Sequence, residues 1–66
     1  MNIVLNGESR SIEAPLSVAD LIQMLGYAGK RVAVERNGEI VPRSAHQQTL
    51  IAHDDRIEIV VAVGGG

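Results

Sequence analysis

Two Asn-Gly dipeptides, Asn6-Gly7 and Asn37-Gly38, limit the possible folds of this chain more than any other feature. A two-residue type I′ turn needs positive φ at both central positions, and Asn followed by Gly meets this need at little steric cost. Each dipeptide follows a segment rich in Val, Ile or Leu. The sequence therefore predicts two β-hairpins.

The first hairpin joins residues 1–5 to a second strand over about residues 9–14. Alternation places Ile12 and Ala14 on the inward side of that second strand. Pro15 is expected to end it, because proline cannot donate a hydrogen bond to a strand ladder.

The second hairpin joins residues 31–36 to residues 39–41, and a last strand is predicted over residues 56–63. Alternation in the last strand places Ile57, Ile59 and Val61 inward and Glu58, Val60 and Ala62 outward. The outward face, with Val4 of the first strand, is more apolar than solvent requires. We expect a partner-docking surface formed by Val4, Val60 and Ala62. Scattered exposed valines on a β-rich surface are the alternative.

One short helix is predicted between the hairpins. Ser17 suits its N-cap and Asp20 completes a capping box, while Leu16 can pack on Leu21 as a hydrophobic staple. Gly26 supplies the stop. The buried face follows helical spacing and comprises Val18, Leu21, Ile22 and Leu25.

The segment between the second hairpin and the last strand is mostly polar. Pro42 closes the hairpin, and residues 43–49 are expected to form a turn of helix or an irregular connection. Leu50 and Ile51 are predicted to tuck beneath this connection. The pair Asp54-Asp55 is interpreted as a turn rather than an acid dyad, because adjacent turn residues point apart.

The predicted order is β-β-α-β-β-β, a two-layer α+β domain with a mixed sheet and one main helix on one face. At 66 residues the chain makes one domain, expected over residues 1–63, followed by a flexible glycine tail at 64–66. The chain has no cysteine and a single aromatic residue, so its core must be aliphatic.

Composition argues against several functions. The net charge is −2 with no basic block, so nucleic-acid binding is not expected. No segment resembles a signal peptide or a membrane span, which predicts a cytoplasmic protein. His46 and His53 have no third ligand nearby in sequence, so no metal site is expected. No nucleophile, base and orienting group can be assembled, so the chain is not expected to be an enzyme.

The chain finishes with Gly64, Gly65 and Gly66, directly after the last strand. Residues without side chains can lie extended and pass through a channel too narrow for others. Three residues reach about 10 Å at ~3.3 to 3.6 Å each, enough to place the Gly66 carboxylate in a partner's active site. A frayed terminus without function is the alternative.

Three segments together resemble the ubiquitin-like β-grasp proteins, and among them the ThiS family of thiamine-biosynthesis sulfur carriers. These segments are Met1 to Gly7, Val32 to Arg43, and Asp55 through the terminal glycines to Gly66. The resemblance covers essentially the whole chain. The middle segment and the terminal glycines are specific in combination, whereas either alone is weak.

The resemblance implies a protein co-substrate. An E1-like adenylyltransferase, ThiF, would use MgATP to join AMP to the Gly66 carboxylate, with Gly64 and Gly65 threading into its active site. Sulfur from a cysteine desulfurase, directly or through a persulfide relay, would then replace AMP to leave a thiocarboxylate. Thiazole synthase, ThiG, would receive that sulfur. No tightly bound cofactor is implied.

Two alternatives stay open from the sequence. The same chemistry is also used by the MoaD carriers of molybdopterin synthesis, and by carriers for other pathways. A non-covalent β-grasp interaction module with incidental glycines belongs to a different functional class.

Overall fold

The structure, a computed structural model, describes residues 1–62 of the chain. Its elements are β1 (Asn2–Leu5), β2 (Glu8–Ser11), α1 (Val18–Met24), β3 (Val32–Arg36), β4 (Glu39–Val41), a 3-10 turn (Arg43–Ala45) and β5 (Arg56–Val61). This confirms the predicted element order. The expected domain boundary after residue 63 and the glycine tail lie outside the described residues.

The five strands form one mixed sheet in the order β2-β1-β5-β3-β4. The first and last strands, β1 and β5, pair in parallel, with Leu5 opposite Ile57. All other neighbours are antiparallel. Because β5 lies between the two hairpins, it is the central strand, and the segment that leads to the tail is built into the middle of the sheet.

Both Asn-Gly turns have the predicted backbone. The φ angles are 49° and 82° at Asn6 and Gly7, and 52° and 83° at Asn37 and Gly38. Positive φ at both central positions is the type I′ geometry whose twist suits a two-residue hairpin. The hairpin predictions are therefore confirmed.

Helix α1 begins with the predicted capping box. The Ser17 hydroxyl accepts from the Asp20 N–H at 3.0 Å, and the Asp20 carboxylate accepts from the Ser17 N–H at 3.2 Å. The helix ends at Met24, and Gly26 follows with a φ of 82°. With seven residues, α1 is much too short to cross a bilayer, and no helix in residues 1–62 is long and apolar enough to do so.

The core lies between α1 and one face of the sheet and is aliphatic, as predicted. Its buried members are Ile3, Leu5, Val18, Leu21, Ile22, Val34, Val41, Ile51, Ile57 and Ile59. Leu16 and Leu25 are half-buried against it. Five residues in this cluster are at most 1% exposed, so the helix and sheet are closely packed despite the small size of the domain.

The second strand is shorter than predicted. It ends at Ser11, which pairs with Asn2, and Ala14 is exposed rather than inward. The ladder with β1, which begins at Asn2, ends at the pair of Asn2 with Ser11. Beyond this pair the Ile12 N–H still donates to the Met1 carbonyl at 2.8 Å.

The prediction for Leu50 was also wrong, since 60% of this residue is exposed while Ile51 is buried. Leu50 forms a β-bridge with Ser17, and the Ile51 N–H donates to the Leu16 carbonyl at 2.8 Å. Adjacent residues in an extended segment face opposite sides, so only one of the two can enter the core.

Candidate functional site

The candidate site is the end of β5, the strand that precedes the three glycines in the sequence. β5 pairs with β3 from Arg36 opposite Ile57 to Val32 opposite Val61. One further backbone bond, from the Ala62 N–H to the Arg31 carbonyl at 2.9 Å, extends this pairing. The chain is therefore held to the sheet as far as Ala62. Val63, Gly64, Gly65 and Gly66 lie outside the described residues.

The Asn6 side chain holds β5 from the first hairpin. Its Oδ1 accepts from the Ile59 N–H at 2.8 Å, and its Nδ2 donates to the Ile59 carbonyl at 3.2 Å. A primary amide can satisfy both backbone groups of one residue in this way. Asn6 thus continues the contacts between the first hairpin and β5 after β1 has ended.

A charged network holds the start of β5. The buried Asp55 carboxylate accepts from Arg36 Nε at 2.7 Å, from Asn37 Nδ2 at 3.0 Å and from the Ala52 N–H at 2.8 Å. Asn37 also accepts from the Arg56 N–H at 2.9 Å through its Oδ1. The network joins the second Asn-Gly turn to the turn that precedes β5.

Opposing effects act on the pKa of Asp55. Burial raises this pKa, but the hydrogen bonds from Ala52, Arg36 and Asn37 and the positive charge of Arg36 outweigh burial. The net result holds the pKa below its ordinary value of 3.8. Asp55 is therefore ionised at neutral pH and acts as a fixed anionic anchor rather than as an acid or base.

The outward face of β5 is apolar near its end. Val60 is 65% exposed, lies opposite Ala33 of β3, and shares its face with Ala62. We call Ala33, Val60 and Ala62 the exit patch. Glu58 and Glu35, directly opposite each other, come next along the same face. The patch is therefore small, and two carboxylates mark its limit.

Val4 lies on the same sheet face but away from the exit patch. It is half-buried and pairs with Arg56, four residues before Val60 on β5. At about 3.3 Å per residue, this separates Val4 from Val60 by roughly 13 Å along the strand. The structure thus brings Val60 and Ala62 together with Ala33, which the sequence did not indicate, and leaves Val4 apart.

The two histidines of the connecting segments have different surroundings. His46 is buried, and its Nε2 lies 3.1 Å from the Val41 carbonyl, which can only accept, so Nε2 carries the proton. His53 is exposed and accepts from the Asn2 N–H through Nδ1 at 3.0 Å. Within residues 1–62, no group of three potential ligands could hold a metal ion.

Sequence reasoning interpreted Asn6, Asn37 and the Asp54-Asp55 pair as turn residues. The turns are present, and Asp54 has a φ of 69°. Their side chains do more, because Asn6, Asn37 and Asp55 hold β5 in register with both hairpins. The only hint in the sequence was that an Asn, rather than an Asp or a Gly, precedes the glycine at both turns.

Comparisons with known proteins agree with this geometry. The family model described as the ThiS family matches residues 3–66. The crystal structure of the thiamine biosynthesis protein ThiS from Geobacter metallireducens superimposes with a TM-score of 0.83 at 33% identity, and the match covers all of both chains. This likeness identifies the fold as a ubiquitin-like β-grasp.

Two curated relatives differ greatly in length. A thiazole synthase of Paramagnetospirillum magneticum is 46% identical over all 66 residues of this chain, and the chain spans about a fifth of its length, 20%. An uncharacterized protein, ycf40, of Porphyra purpurea is 35% identical over 66 residues, which cover 93% of it. The same segment therefore occurs both inside a longer protein and as nearly the whole of a short one.

Proposed function

The chain belongs to the ThiS family, and on this premise we propose that it is a sulfur carrier protein that serves thiazole formation in thiamine biosynthesis. The observation that carries the proposal is that the family match runs through residue 66 and so includes all three glycines after β5. The protein would be a co-substrate whose reacting group is the Gly66 carboxylate.

The chemistry needs activation, because a carboxylate is a poor electrophile. A carboxylate oxygen of Gly66 attacks the α-phosphorus of MgATP in an adenylyltransferase, and pyrophosphate leaves. The terminal sulfur of a persulfide, supplied by a cysteine desulfurase or a relay, then attacks the acyl carbon and AMP leaves. Cleavage of the resulting S–S bond by a thiol yields the thiocarboxylate.

Different parts of the chain would have different roles in this chemistry. Gly66 supplies the acyl carbon, and Gly64 and Gly65 supply a tail without side chains that enters a narrow channel. The exit patch supplies an apolar surface beside the channel entrance. Strand β5, held at Asn6 and Asp55, gives the tail a fixed origin, which lowers the ordering cost when a partner binds.

Thiazole synthase is the proposed acceptor of the sulfur. This is supported by the Paramagnetospirillum magneticum relative, a thiazole synthase that contains a segment 46% identical to this chain. When a carrier and its acceptor enzyme share one polypeptide, their association becomes intramolecular, and the effective concentration of the carrier at the enzyme rises. A short chain that meets the same enzyme by diffusion would use the same surfaces without that advantage.

Intact-protein mass spectrometry tests the proposal. The chain is incubated with MgATP, the adenylyltransferase, cysteine desulfurase and cysteine, beside a copy lacking Gly66. We expect a mass gain equal to oxygen replaced by sulfur in the full chain only. If neither an acyl adenylate nor a thiocarboxylate forms with an active adenylyltransferase, the carrier function is refuted and a non-covalent interaction module replaces it.

The narrow-channel argument has its own test. Gly65→Trp should fold normally but fail to be adenylated, because its side chain blocks the channel, while Gly65→Ala should retain part of the activity. An added residue after Gly66 should abolish sulfur transfer without changing the free energy of unfolding. Normal adenylation of Gly65→Trp would refute the channel.

A further inference from the structure

An open groove with a cavity volume of about 840 Å³ runs along α1 and the segment 43–47. Its lining includes the three residues of the exit patch, so the groove is continuous with the point where β5 ends. Ile22, Tyr27 and Val32 give it an apolar component. The core and the proposed tail chemistry account for these apolar residues, but not for the charged side chains of the groove.

The charges of the groove differ sharply from those of the whole chain. Lys30, Arg31 and Arg43 line it, which is half of the six Lys and Arg residues. None of the eight Asp and Glu residues does, although all eight lie within residues 1–62. A chain with a net charge of −2 therefore carries a groove of the opposite sign.

None of these three cations forms an ion pair within residues 1–62. The Arg36–Asp55 ion pair and the contact of His53 with Asp54, which are the charged-group contacts found in that range, use no groove residue. An open cleft lined by charges of one sign raises the local concentration of oppositely charged groups and accelerates their association. The groove is thus suited to an anionic occupant.

Backbone hydrogen bonds form the walls of the groove in advance. The Tyr27 N–H donates to the Ile22 carbonyl and the Lys30 N–H to the Tyr27 carbonyl, both at 3.0 Å, which fixes the loop that bears the first two cations. The Ala19 N–H donates to the His46 carbonyl at 2.9 Å, which ties the segment with Arg43 to α1. A groove that already exists costs little to order on binding.

We propose that this groove binds an acidic segment of the adenylyltransferase that modifies the tail, an inference that rests on the proposed function. Residues 63–66 reach at most about 14 Å beyond Ala62. An enzyme that holds the Gly66 carboxylate in its active site must therefore cover the surface beside the groove. The cations lie on two separate segments of the chain. A peptide with several spaced carboxylates could therefore contact all of them.

Two charge-reversal variants with equal net charge test this proposal. Lys30→Glu/Arg43→Glu reverses two groove cations, whereas Arg10→Glu/Arg56→Glu reverses two cations outside the groove. Association with the adenylyltransferase is followed by stopped-flow fluorescence in MgATP at low and high salt. We expect the groove variant to associate about tenfold more slowly at low salt, with the difference shrinking at high salt.

The control variant should associate at close to the wild-type rate. At saturating enzyme the groove variant should still be fully adenylated, because its tail is intact. Equal rates for the two variants, with wild-type adenylation normal, would overturn the groove proposal and leave the carrier function standing. The proposal would also be overturned if the groove variant bound thiazole synthase more slowly but bound the adenylyltransferase at the wild-type rate. Absence of wild-type adenylation would refute both proposals.

Discussion

The two Asn-Gly turns have the same backbone but hold β5 by different means. Asn6 binds the N–H and carbonyl of Ile59, two neutral backbone groups. Asn37 donates to the Asp55 carboxylate and accepts from the Arg56 N–H. The first hairpin is therefore attached through neutral hydrogen bonds, and the second through a network that contains an ion pair.

This difference shows that the Asn-Gly motif determines the turn conformation but not the tertiary contacts of the Asn side chain. The dipeptide determines φ, whereas the residue opposite the Asn side chain determines what the amide can bind. At the first turn that residue is Ile59, and at the second it is Asp55. Stability should therefore depend on charge at the second hairpin and not at the first.

The largest effect is expected for Asp55→Ala. It removes three hydrogen-bond acceptor contacts and the partner of Arg36. Charged hydrogen bonds and paired buried charges carry the larger mutational costs, so the free energy of unfolding should fall by about 3 kcal/mol. Urea denaturation followed by circular dichroism measures this. The control Asp54→Asn, at an exposed neighbour, should change it by less than about 0.5 kcal/mol.

Acid should weaken the second hairpin by a smaller amount than Asp55→Ala does. The folded pKa of Asp55 lies below its ordinary value of 3.8, so its contribution is complete above that value and is lost as pH falls through the folded pKa. Stability measured from about pH 5 down to pH 2 should therefore decrease, and Asp55→Asn should flatten the curve. An unchanged slope in Asp55→Asn would contradict the anchor role of this carboxylate.

Isosteric substitution of the two asparagines distinguishes the charged attachment of the second hairpin from the neutral attachment of the first. Asn37→Asp replaces a donor with a carboxylate that faces Asp55, so it should cost about 2 kcal/mol through repulsion and a lost hydrogen bond. Asn6→Asp loses the donor to the Ile59 carbonyl and places a carboxylate oxygen against this neutral group, so it should cost about 1 kcal/mol. Added salt should reduce the first cost more than the second. Equal costs in thermal denaturation would show that the charge contrast is unimportant.

Alanine at the two turn glycines should have an effect as small as that of Asn6→Asp, and the effect should be the same in both hairpins. Gly7 and Gly38 have φ angles of 82° and 83°, and no neighbouring atom lies within 4 Å of a Cβ added at either position. The cost then comes from the left-handed backbone alone, about 1 kcal/mol at each position. Unequal losses would mean that the two turns differ in backbone as well as in side-chain contacts.

Local signals predicted most of the fold. The turns and the capping box depend on residues within four positions of each other, so sequence alone is sufficient to place them. The predicted end of β2 was wrong because it depends on where the pairing with β1 stops, and residues outside β2 determine that. The prediction for Leu50 was wrong because only one of two adjacent extended residues can face the core, and here that residue is Ile51.

The candidate site was less predictable. Alternation in the last strand correctly placed Val60 and Ala62 on the outward face, but Ala33 joins them only through the pairing of β3 with β5. The Asp55 network likewise requires residues 18 and 19 positions apart to meet. Such contacts follow from strand register, which the periodicity of a single strand does not contain.

The position of β5 also affects when this protein can fold. Within residues 1–62, β5 is the strand that pairs with both hairpins, and the hairpins do not pair with each other. A two-stranded hairpin alone is at best marginally stable in water. During synthesis the sheet must therefore wait for its last strand to leave the ribosome. The glycines emerge after that strand, so in the proposed function a partner that requires the folded surface would take up the tail only after the sheet can form.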